Sequence, residues 1–450
     1  MYGDLEPKRL AATSWLAQLP NRFQRKISVG AYRPEIDGLR FFAIAFVIFG
    51  HSLERAARFF ASYRNSLGGG VCEFYLQLAP LGVNLFFAIS GFILANQAIK
   101  ANASPLSSAF LKSYFGRRIL RIEPPYFILL IATFLLISLT GFVPDGVHRF
   151  DVEPKSLGVS LLSSIFYCHD LVWGAFPRLF PPGWSLEVEV QFYLLAPLLF
   201  WMWRLVSTNA SRAILAAGFL GLGIVLSALQ IERAGPFFVR YSLLHCFIYF
   251  WLGIILAYCR DGIAARLATS PKAFTTTLGW SGLALCFLLP APEHPAVFPE
   301  VIRLLGVSLG LAAIFASAFA ANSGFRAFCA RPWISLIGGA CYSIYLVHLQ
   351  IIQVFSSLIF KLAPGLSLAG VAAAFSVSAV LVGAIGLTYY IQIERRFMTP
   401  NWHVALVERL QRRGAHLALE PASGFSSIIF TIAVGATIAV LVAGGVAYFT

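Results

Sequence analysis

The sequence predicts an all-α protein that crosses a membrane many times. Of the 450 residues, 58% are hydrophobic and only 12% are charged, whereas soluble domains carry about 25% charged residues. The mean hydropathy is +0.76, and apolar stretches long enough to cross a hydrocarbon core recur along the chain. Each stretch is expected to be helical, because lipid offers no partner to an open strand edge.

Eleven segments of spanning length make up the predicted architecture, ten in a core and one near the C-terminus. They lie near residues 39–58, 80–99, 125–143, 187–205, 213–231, 239–258, 274–291, 301–321, 334–357, 367–390 and 425–448. We predict four regions, which are a cytoplasmic amphipathic arm at residues 1–36, a transmembrane domain at 37–397, a cytoplasmic linker at 398–424 and an extra transmembrane helix at 425–450.

The distribution of positive charge predicts the orientation in the membrane. The net charge is +14, and with a cytoplasmic N-terminus 24 of the 34 Lys and Arg residues fall on the cytoplasmic side. A bias of this kind orients membrane proteins. We therefore attribute the charge to insertion and lipid contact rather than to nucleic acid, and we expect the C-terminus to lie outside the cytoplasm.

The first predicted helix carries two ionisable residues on one face. The helix begins with a charged segment that includes Asp37. Arg40 and His51 come next and are eleven residues apart, which is close to three helical turns. If Arg40 lies where the membrane meets water, His51 lies roughly 16 Å deeper. That is near the middle of a core roughly 30 Å thick. An ionisable group at this depth costs free energy, so His51 is a candidate functional residue.

The second predicted helix offers both close packing and polar groups. Gly82 and Gly91 allow neighbouring helices to approach, and packing alone explains them. Asn84 and Ser90 are expected to form hydrogen bonds inside the bundle.

The third predicted helix begins with a group of arginines. Arg121 follows Arg117 by four residues and Arg118 by three, so one helical turn would bring the three side chains to one patch. Guanidinium groups suit phosphate oxygens, although ordinary basic flanking of a membrane helix explains the same pattern. The pair Pro124 and Pro125 is expected to break or kink the start of this helix.

The fourth predicted helix brings acidic residues to the outer end of the bundle. Glu189 and Tyr193 share a face by their i,i+4 spacing, as do Glu187 and Gln191. His51 lies past the centre of the membrane, toward the same outer side. A contact between His51 and Glu189 is therefore geometrically possible. The alternative is that Glu189 pairs with an arginine during helix assembly.

Two further observations concern histidine and cysteine. His348 lies in apolar surroundings in the ninth predicted helix, and such a residue is more often a packing histidine than a catalyst. The seven cysteines lack metal-ligand spacing. Only Cys72 and Cys168 are expected outside, where an oxidising environment would allow a disulfide between them.

Six short motifs occur in the order seen in the acyltransferase family 3 membrane proteins, which this chain resembles. They are R-P-E-I-D-G-L-R followed after ten residues by His, G-V-N-L-F-F-A-I-S-G-F, R-R-I-L-R-I-E-P-P-Y, W-S-L-E-V-E-V-Q-F-Y, Y-S-I-Y-L-V-H and I-E-R-R-F. Each motif alone is weak, but the ordered set is specific and covers about residues 32–397. Two positions depart from the pattern: Val190 stands where a second acidic residue is often found, and Arg396 where a proline often is.

The resemblance implies an enzyme that takes an acyl group, often acetyl, from cytoplasmic acyl-CoA and delivers it to a hydroxyl of a sugar, commonly in a bacterial cell-envelope glycan. It implies that Arg40 and His51 are the essential pair, with His51 and Glu189 in a catalytic role. The arginines expected to bind the donor are Arg40, Arg117, Arg118 and Arg121. The other residues of the expected polar pocket are Asp37, Asn84, Ser90, Tyr193 and His348.

The resemblance also implies partners. These are the acyl-CoA donor, a glycan or lipid-linked saccharide acceptor, membrane lipids and, because some relatives carry a fused esterase-like domain, a separate protein on the acceptor side. No permanently bound cofactor or metal is expected. The expected location is the cytoplasmic membrane of a bacterium.

The residues are compatible with a specific mechanism and with one competing class. His51 would take a proton from the attacking hydroxyl or carry the acyl group briefly, and Glu189 would orient its imidazole or stabilise the imidazolium cation. The competing class is a transporter or flippase for a lipid-linked sugar, in which His51 and Glu189 form a proton relay. A scaffold without activity would leave the buried polar residues unexplained.

Overall fold

The structure, a computed structural model, is helical throughout the part of the chain that it describes. That part comprises residues 20, 22–25, 32–60, 78–101, 103–141, 154–232, 241–289, 297–398 and 402. Within these ranges there is no β-strand. This confirms the predicted all-α class. The extra C-terminal helix, predicted at residues 425–450, lies outside the described residues.

Fourteen helices are labelled here in chain order. They are α1 Pro34–Phe59, α2 Leu78–Lys100, α3 Ser108–Thr140, α4 Leu157–Ile165, α5 His169–Trp173, α6 Gly183–Leu205, α7 Asn209–Glu232, α8 Leu243–Leu267, α9 Lys272–Leu288, α10 Val297–Phe319, α11 Gly324–Cys329, α12 Pro332–Gly339, α13 Cys341–Leu362 and α14 Leu368–Tyr389. A π-helical turn, Tyr390–Glu394, and a last turn, Arg395–Phe397, extend α14.

Nine helices of the described ranges are long and apolar enough to cross a membrane. They are α1, α2, α3, α6, α7, α8, α10, α13 and α14 with its extension. The predicted segment at residues 274–291 corresponds to α9, which has 17 residues, at the lower limit for a span. The multi-pass architecture predicted from hydropathy is therefore confirmed.

The segment before α1 lies at the same end of the bundle as the end of α14. Arg395 donates a hydrogen bond to the carbonyl oxygen of Arg22 over 2.8 Å, and the Tyr390 hydroxyl donates to the carbonyl oxygen of Phe23 over 3.3 Å. An even number of crossings must separate two points on one side of a membrane. The nine long helices of the described ranges give an odd number, so we expect α9 to make a tenth crossing.

Two glycines of α2 allow the closest helix contacts in the centre of the bundle. A Cβ atom at Gly82 would meet the carbonyl oxygen of Ala43 in α1, and one at Gly91 would meet the carbonyl oxygen of Phe250 in α8. Only a residue without a side chain permits such an approach of two backbones. The helices α1, α2 and α8 therefore form a tightly packed centre, as the glycines predicted.

The third membrane helix is longer than predicted, and of the expected break or kink at its prolines the break is wrong. Pro124 and Pro125 lie inside α3, which runs unbroken for 33 residues. A proline removes the hydrogen bond to the carbonyl four residues earlier, which for Pro124 is that of Leu120. The indole Nε1 of Trp402 donates to this carbonyl oxygen over 2.9 Å. A partner from elsewhere in the chain thus replaces the lost bond.

The ninth predicted segment is divided into two helices. A short helix, α12, ends at Gly339, and α13 begins at Cys341. The short helices α11 and α12 together form a layer at the end of the bundle where α1 begins. The short helices α4 and α5 lie before the start of α6, at the opposite end of the bundle.

Of the two cysteines of the predicted disulfide, the described residues include Cys168. Cys168 is a free thiol, and its Sγ donates weakly to the carbonyl oxygen of Ser163 over 3.6 Å. Its predicted partner, Cys72, lies outside the described residues. The turn between α4 and α5 therefore directs the thiol back onto α4.

Candidate active site

The first turn of α1 holds a buried carboxylate between two guanidinium groups. Pro34 occupies the first turn, where its missing N–H costs nothing. Asp37 is 3% exposed, and its Oδ1 accepts from Nη1 of Arg40 over 2.6 Å and from Nη1 of Arg25 over 3.3 Å. Burial beside Asp37 raises the pKa of the Tyr32 hydroxyl, which lies just before the helix. A carboxylate paired in this way fixes the position of Arg40.

A second buried carboxylate lies close to the first. Glu394, in the π-helical turn after α14, is fully buried and accepts from the backbone N–H and the hydroxyl of Ser343 over 3.2 and 2.6 Å. Its Oε1 lies 3.9 Å from Nη2 of Arg121. The electrostatic influence of Arg121 also reaches Asp37. The two carboxylates therefore hold a set of arginines at this end of the bundle.

The three arginines of α3 do not form the single patch that their spacing suggested. Arg117 is exposed, and its Nη1 donates to the hydroxyl of Ser113. Arg118 is 8% exposed, donates to Gln97 over 3.0 Å and stacks over the ring of Tyr114. Arg121 faces Glu394 instead. Their binding roles stay predictions, but their side chains take three different directions.

In the described structure, the side chain of His51 forms a hydrogen bond with a residue of its own helix. Its Nδ1 lies 3.1 Å from Oε2 of Glu54, three residues later, and the side chain is 24% exposed. The other carboxylate oxygen of Glu54 accepts from Nη1 of Arg55. Because a carboxylate only accepts hydrogen bonds, Nδ1 of His51 carries the proton that is donated. In the neutral imidazole, Nε2 is then the unprotonated nitrogen.

His348 lies beside His51 across the contact between α13 and α1. The two imidazole centroids are 5.2 Å apart with the rings tilted by 36°. His348 is fully buried, and its Nδ1 donates to the carbonyl oxygen of Tyr345. Its Nε2 has no hydrogen-bond partner in the described structure. The packing histidine favoured by the sequence is therefore a direct neighbour of the candidate catalytic residue.

Glu189 belongs to a separate cluster in the described structure. Its Oε1 accepts from the hydroxyl of Ser90 over 2.7 Å, and the hydroxyl of Tyr193 and the guanidinium of Arg118 lie close to the carboxylate. Within the described residues no hydrogen bond or ion pair joins Glu189 to His51. The Glu189 carboxylate therefore lies near a hydroxyl group, a phenol and a guanidinium, and its pairing with an arginine stays a prediction.

The remaining predicted pocket residue, Asn84, is half-buried in α2. Two residues that sequence reasoning did not single out are prominent in the structure, namely Glu54 and Glu394. Glu54 follows His51 by three residues, and such a spacing places both side chains on one helix face. This i,i+3 spacing is the feature of the sequence from which the contact between His51 and Glu54 could have been predicted.

The arrangement can move a proton at His51. Nδ1 is occupied by Glu54, and a neutral Nε2 can accept a proton from a hydroxyl group. The carboxylate then stabilises the imidazolium that forms. Within the described ranges no group of three or more His, Cys, Asp and Glu residues could hold a metal ion.

Comparison with known proteins adds independent information. The family model Acyl_transf_3, described as an acyltransferase domain, matches residues 33–388, which is well over half of the chain. The O-acetyltransferase OatA of Staphylococcus aureus is 26% identical over 338 residues, covering 71% of this chain and 51% of the relative. The peptidoglycan O-acetyltransferase OatA of Listeria monocytogenes is 25% identical over 350 residues, covering 74% and 50%.

A third relative extends the comparison to another genus. Nodulation protein 10 of Rhizobium leguminosarum bv. viciae is 27% identical over 214 residues, covering 46% of this chain and 54% of the relative. The chain therefore spans about half the length of the curated relatives it matches. No solved structure matches it.

Proposed function

Since the chain belongs to the acyltransferase 3 family, we propose that it transfers an acyl group, in the simplest case acetyl, from acyl-CoA to a hydroxyl of a cell-envelope or exported saccharide. Two of the relatives are named O-acetyltransferases, one of them for peptidoglycan. The identity of the donor, the side from which it enters and the acceptor are parts of this proposal. So is a location in the bacterial cytoplasmic membrane with the N-terminus inside.

One observation carries the proposal beyond family membership. His51 lies inside a membrane-spanning helix, is partly accessible, and has its Nδ1 bonded to a carboxylate. A packing histidine has no need of a charged partner at this depth, where an ionised group is costly. A carboxylate at Nδ1 with Nε2 unprotonated is the arrangement that general bases of acyl transfer use.

The donor is expected to bind at the end of the bundle where α1 begins. Arg40 and Arg121 lie there, held by Asp37 and Glu394. Guanidinium groups that are already held by carboxylates lose little freedom when a phosphate binds. The Arg40 to His51 separation is roughly 16 Å along the helix axis. The extended pantetheine arm spans a distance of this order, so it would bring the thioester to His51.

The chemical step follows from the state of His51. Nε2 takes the proton of the acceptor hydroxyl as its oxygen attacks the thioester carbonyl. The carbon–sulfur bond then breaks, and the imidazolium returns the proton to the departing CoA thiolate. The products are an O-acyl ester and CoA, and His51 is neutral again. Glu54 compensates the positive charge that His51 holds during the step.

The test is acyl transfer by the purified protein. We expect detergent-purified, folded protein to hydrolyse labelled acetyl-CoA slowly and to transfer the label to an envelope glycan fraction. A His51→Ala preparation of equal thermal stability is the matched control. Label on the glycan with the wild-type protein alone supports the proposal. No hydrolysis and no transfer, with acetyl-CoA left unbound, overturns it and favours the transporter hypothesis.

A further inference from the structure

We propose that Glu54 is the positioning residue that holds His51 in the tautomer needed for proton abstraction. The inference rests on the proposed function, in which Nε2 of His51 is the base. It concerns a residue that belongs to none of the six sequence motifs. The observation behind it is the hydrogen bond between Nδ1 of His51 and Oε2 of Glu54, 3.1 Å long.

The geometry of helix α1 places the side chains of His51 and Glu54 next to each other. Glu54 follows His51 by three residues within the unbroken helix α1, so the two side chains lie on neighbouring positions of one face. Helix α1 is packed tightly at Gly50, where a Cβ atom would collide with the backbone of Ala79 in α2. The backbone that carries both residues is therefore held in place directly before His51.

The second oxygen of the Glu54 carboxylate is fixed as well. Nη1 of Arg55 donates to Oε1 of Glu54. Arg55 is only 6% exposed, whereas the Glu54 side chain is 43% exposed. The buried guanidinium thus orients the more accessible carboxylate and leaves Oε2 to face the imidazole. The described hydrogen bonds connect Arg55 to His51 through Glu54.

Other neighbours do not offer His51 the same contact. The Nδ1 proton of His348 is already donated to the carbonyl oxygen of Tyr345, so His348 presents no free N–H toward His51 in its neutral form. The carboxylate of Glu189 accepts from Ser90. Among the described residues, Glu54 is therefore the carboxylate bonded to His51.

The consequence for the reaction is a division of roles between the two nitrogens of His51. With Nδ1–H donated to Glu54, the lone pair of Nε2 is free to accept the proton of the attacking hydroxyl. After that transfer, the ionised carboxylate faces a positive imidazolium across a short hydrogen bond. A glutamine at this position can donate its amide N–H to Nδ1 and select the wrong tautomer, as an amide does in hydrolase triads.

The first experiment replaces the carboxylate without changing its size. In Glu54→Gln we expect the rate constant for acetyl-CoA hydrolysis by the purified protein to fall by roughly 10²- to 10⁴-fold. We expect the Kd for acetyl-CoA to stay within about twofold of the wild-type value. Asp261→Asn, which removes an exposed carboxylate that is paired only with Arg260 among its described contacts, is the control and should change neither quantity.

The second experiment uses the exposure of Glu54 and remains informative if Glu54→Gln folds poorly. We expect added formate to restore hydrolysis in Glu54→Ala in a saturable manner, because a small carboxylate can enter the space left beside Nδ1. Formate should not restore His51→Ala. A residue with a merely structural role would not be replaced by a free anion.

The outcomes separate this inference from the proposed function. If His51→Ala is inactive while Glu54→Gln and Glu54→Ala keep wild-type rates, the role of Glu54 is overturned and the proposed function stands. If all three variants keep wild-type rates, His51 is not the base and the positioning role of Glu54 fails with it, whereas loss of hydrolysis in the wild-type protein itself would overturn the proposed function. A Glu54→Gln defect that appears in the Kd for acetyl-CoA rather than in the rate constant also overturns the positioning role.

Discussion

Asp170, in the short helix α5 at the opposite end of the bundle from Arg40, is a carboxyl group whose burial has a measurable cost. It is 2% exposed, and its Oδ1 has no hydrogen-bond partner in the described structure. Burial raises its pKa to about 7. In the unfolded chain the group ionises near pH 4. Between these values the folded state binds one proton more than the unfolded state, so this group lowers stability as pH rises.

We therefore expect Asp170→Asn to stabilise the protein in a pH-dependent manner. An amide resembles the protonated carboxyl, so the variant should melt like the wild type at pH 4 to 5. By pH 8 its advantage should have grown, to at most about 4 kcal/mol, because a tenfold change in a proton-binding constant corresponds to about 1.36 kcal/mol. Thermal melting in detergent across this range measures the difference between the two chains. A constant difference at every pH would contradict the burial of this carboxyl group in its protonated form.

At the scale of single residues, spacing predicted positions better than partners. Helical periodicity placed His51 deep in a membrane helix, three turns from Arg40, and the structure keeps both on one unbroken helix. It did not predict that Glu54 rather than Glu189 would be bonded to His51. The i,i+3 spacing of His51 and Glu54 contained the first contact, whereas the bond of Glu189 to Ser90 joins different helices and depends on how the bundle packs, which no single sequence spacing contains.

At the scale of elements, the contact between α12 and α1 sets the position of the first turn of α1. A Cβ atom at Gly338 would collide with the backbone carbonyl oxygen of Asp37. The same Asp37 holds Arg40 through its side chain. Any residue other than glycine at position 338 must therefore push the first turn of α1 away from α12.

Gly338→Ala is accordingly expected to lower the melting temperature and to weaken acetyl-CoA binding at the same time. The matched control is Gly383→Ala in α14, where a Cβ atom meets nothing within 4 Å. There the alanine should stabilise the helix by about 0.5–1 kcal/mol, because glycine costs helix entropy. Melting curves and binding isotherms of both variants provide the comparison. Equal behaviour of the two would contradict the close contact.

The elements also show where sequence reasoning reached its limit. Hydropathy located the membrane helices because burial in lipid requires about 20 apolar residues whatever their neighbours are. The unbroken course of α3 through Pro124 was not predictable, because it depends on Trp402, nearly 300 residues away, binding the released carbonyl of Leu120. The division at Ala340 between α12 and α13 was likewise not predictable, because the sequence there is one continuous apolar segment.

At the scale of the whole molecule, the turns after α14 lie at the end of the bundle where α1 begins. The contacts of Arg22 and Phe23 with the turns after α14 favour an even number of crossings, and we expect the short helix α9 to add one to the nine long helices of the described ranges. We expect a fluorescent protein fused after Met398 to be cytoplasmic, and alkaline phosphatase fused after Gly365 to be active outside. A phosphatase fused after Ser270, before α9, should be inactive. Activity after Ser270 and inactivity after Gly365 would contradict this topology.

The proposed function assigns different tasks to the two ends of α1. His51 would perform the proton transfer, and Arg40 would hold the phosphates of acyl-CoA. In the structure each of them is bonded to its own carboxylate, Glu54 and Asp37. Because different partners hold the two residues, their loss should have separable effects. Lys at position 40 should restore part of the binding lost in Arg40→Ala, since it supplies the charge without the planar fork.

The most direct test of the proposed mechanism measures acetyl-CoA affinity and turnover on the same folded preparations of wild type, His51→Ala and Arg40→Ala. We expect His51→Ala to bind acetyl-CoA normally while transfer falls by roughly 10²-fold or more. We expect Arg40→Ala to lose about 1.5–3 kcal/mol of binding free energy, the value of a charge-assisted hydrogen bond. Near-normal transfer by His51→Ala would contradict the central claim and would make His51 a packing residue.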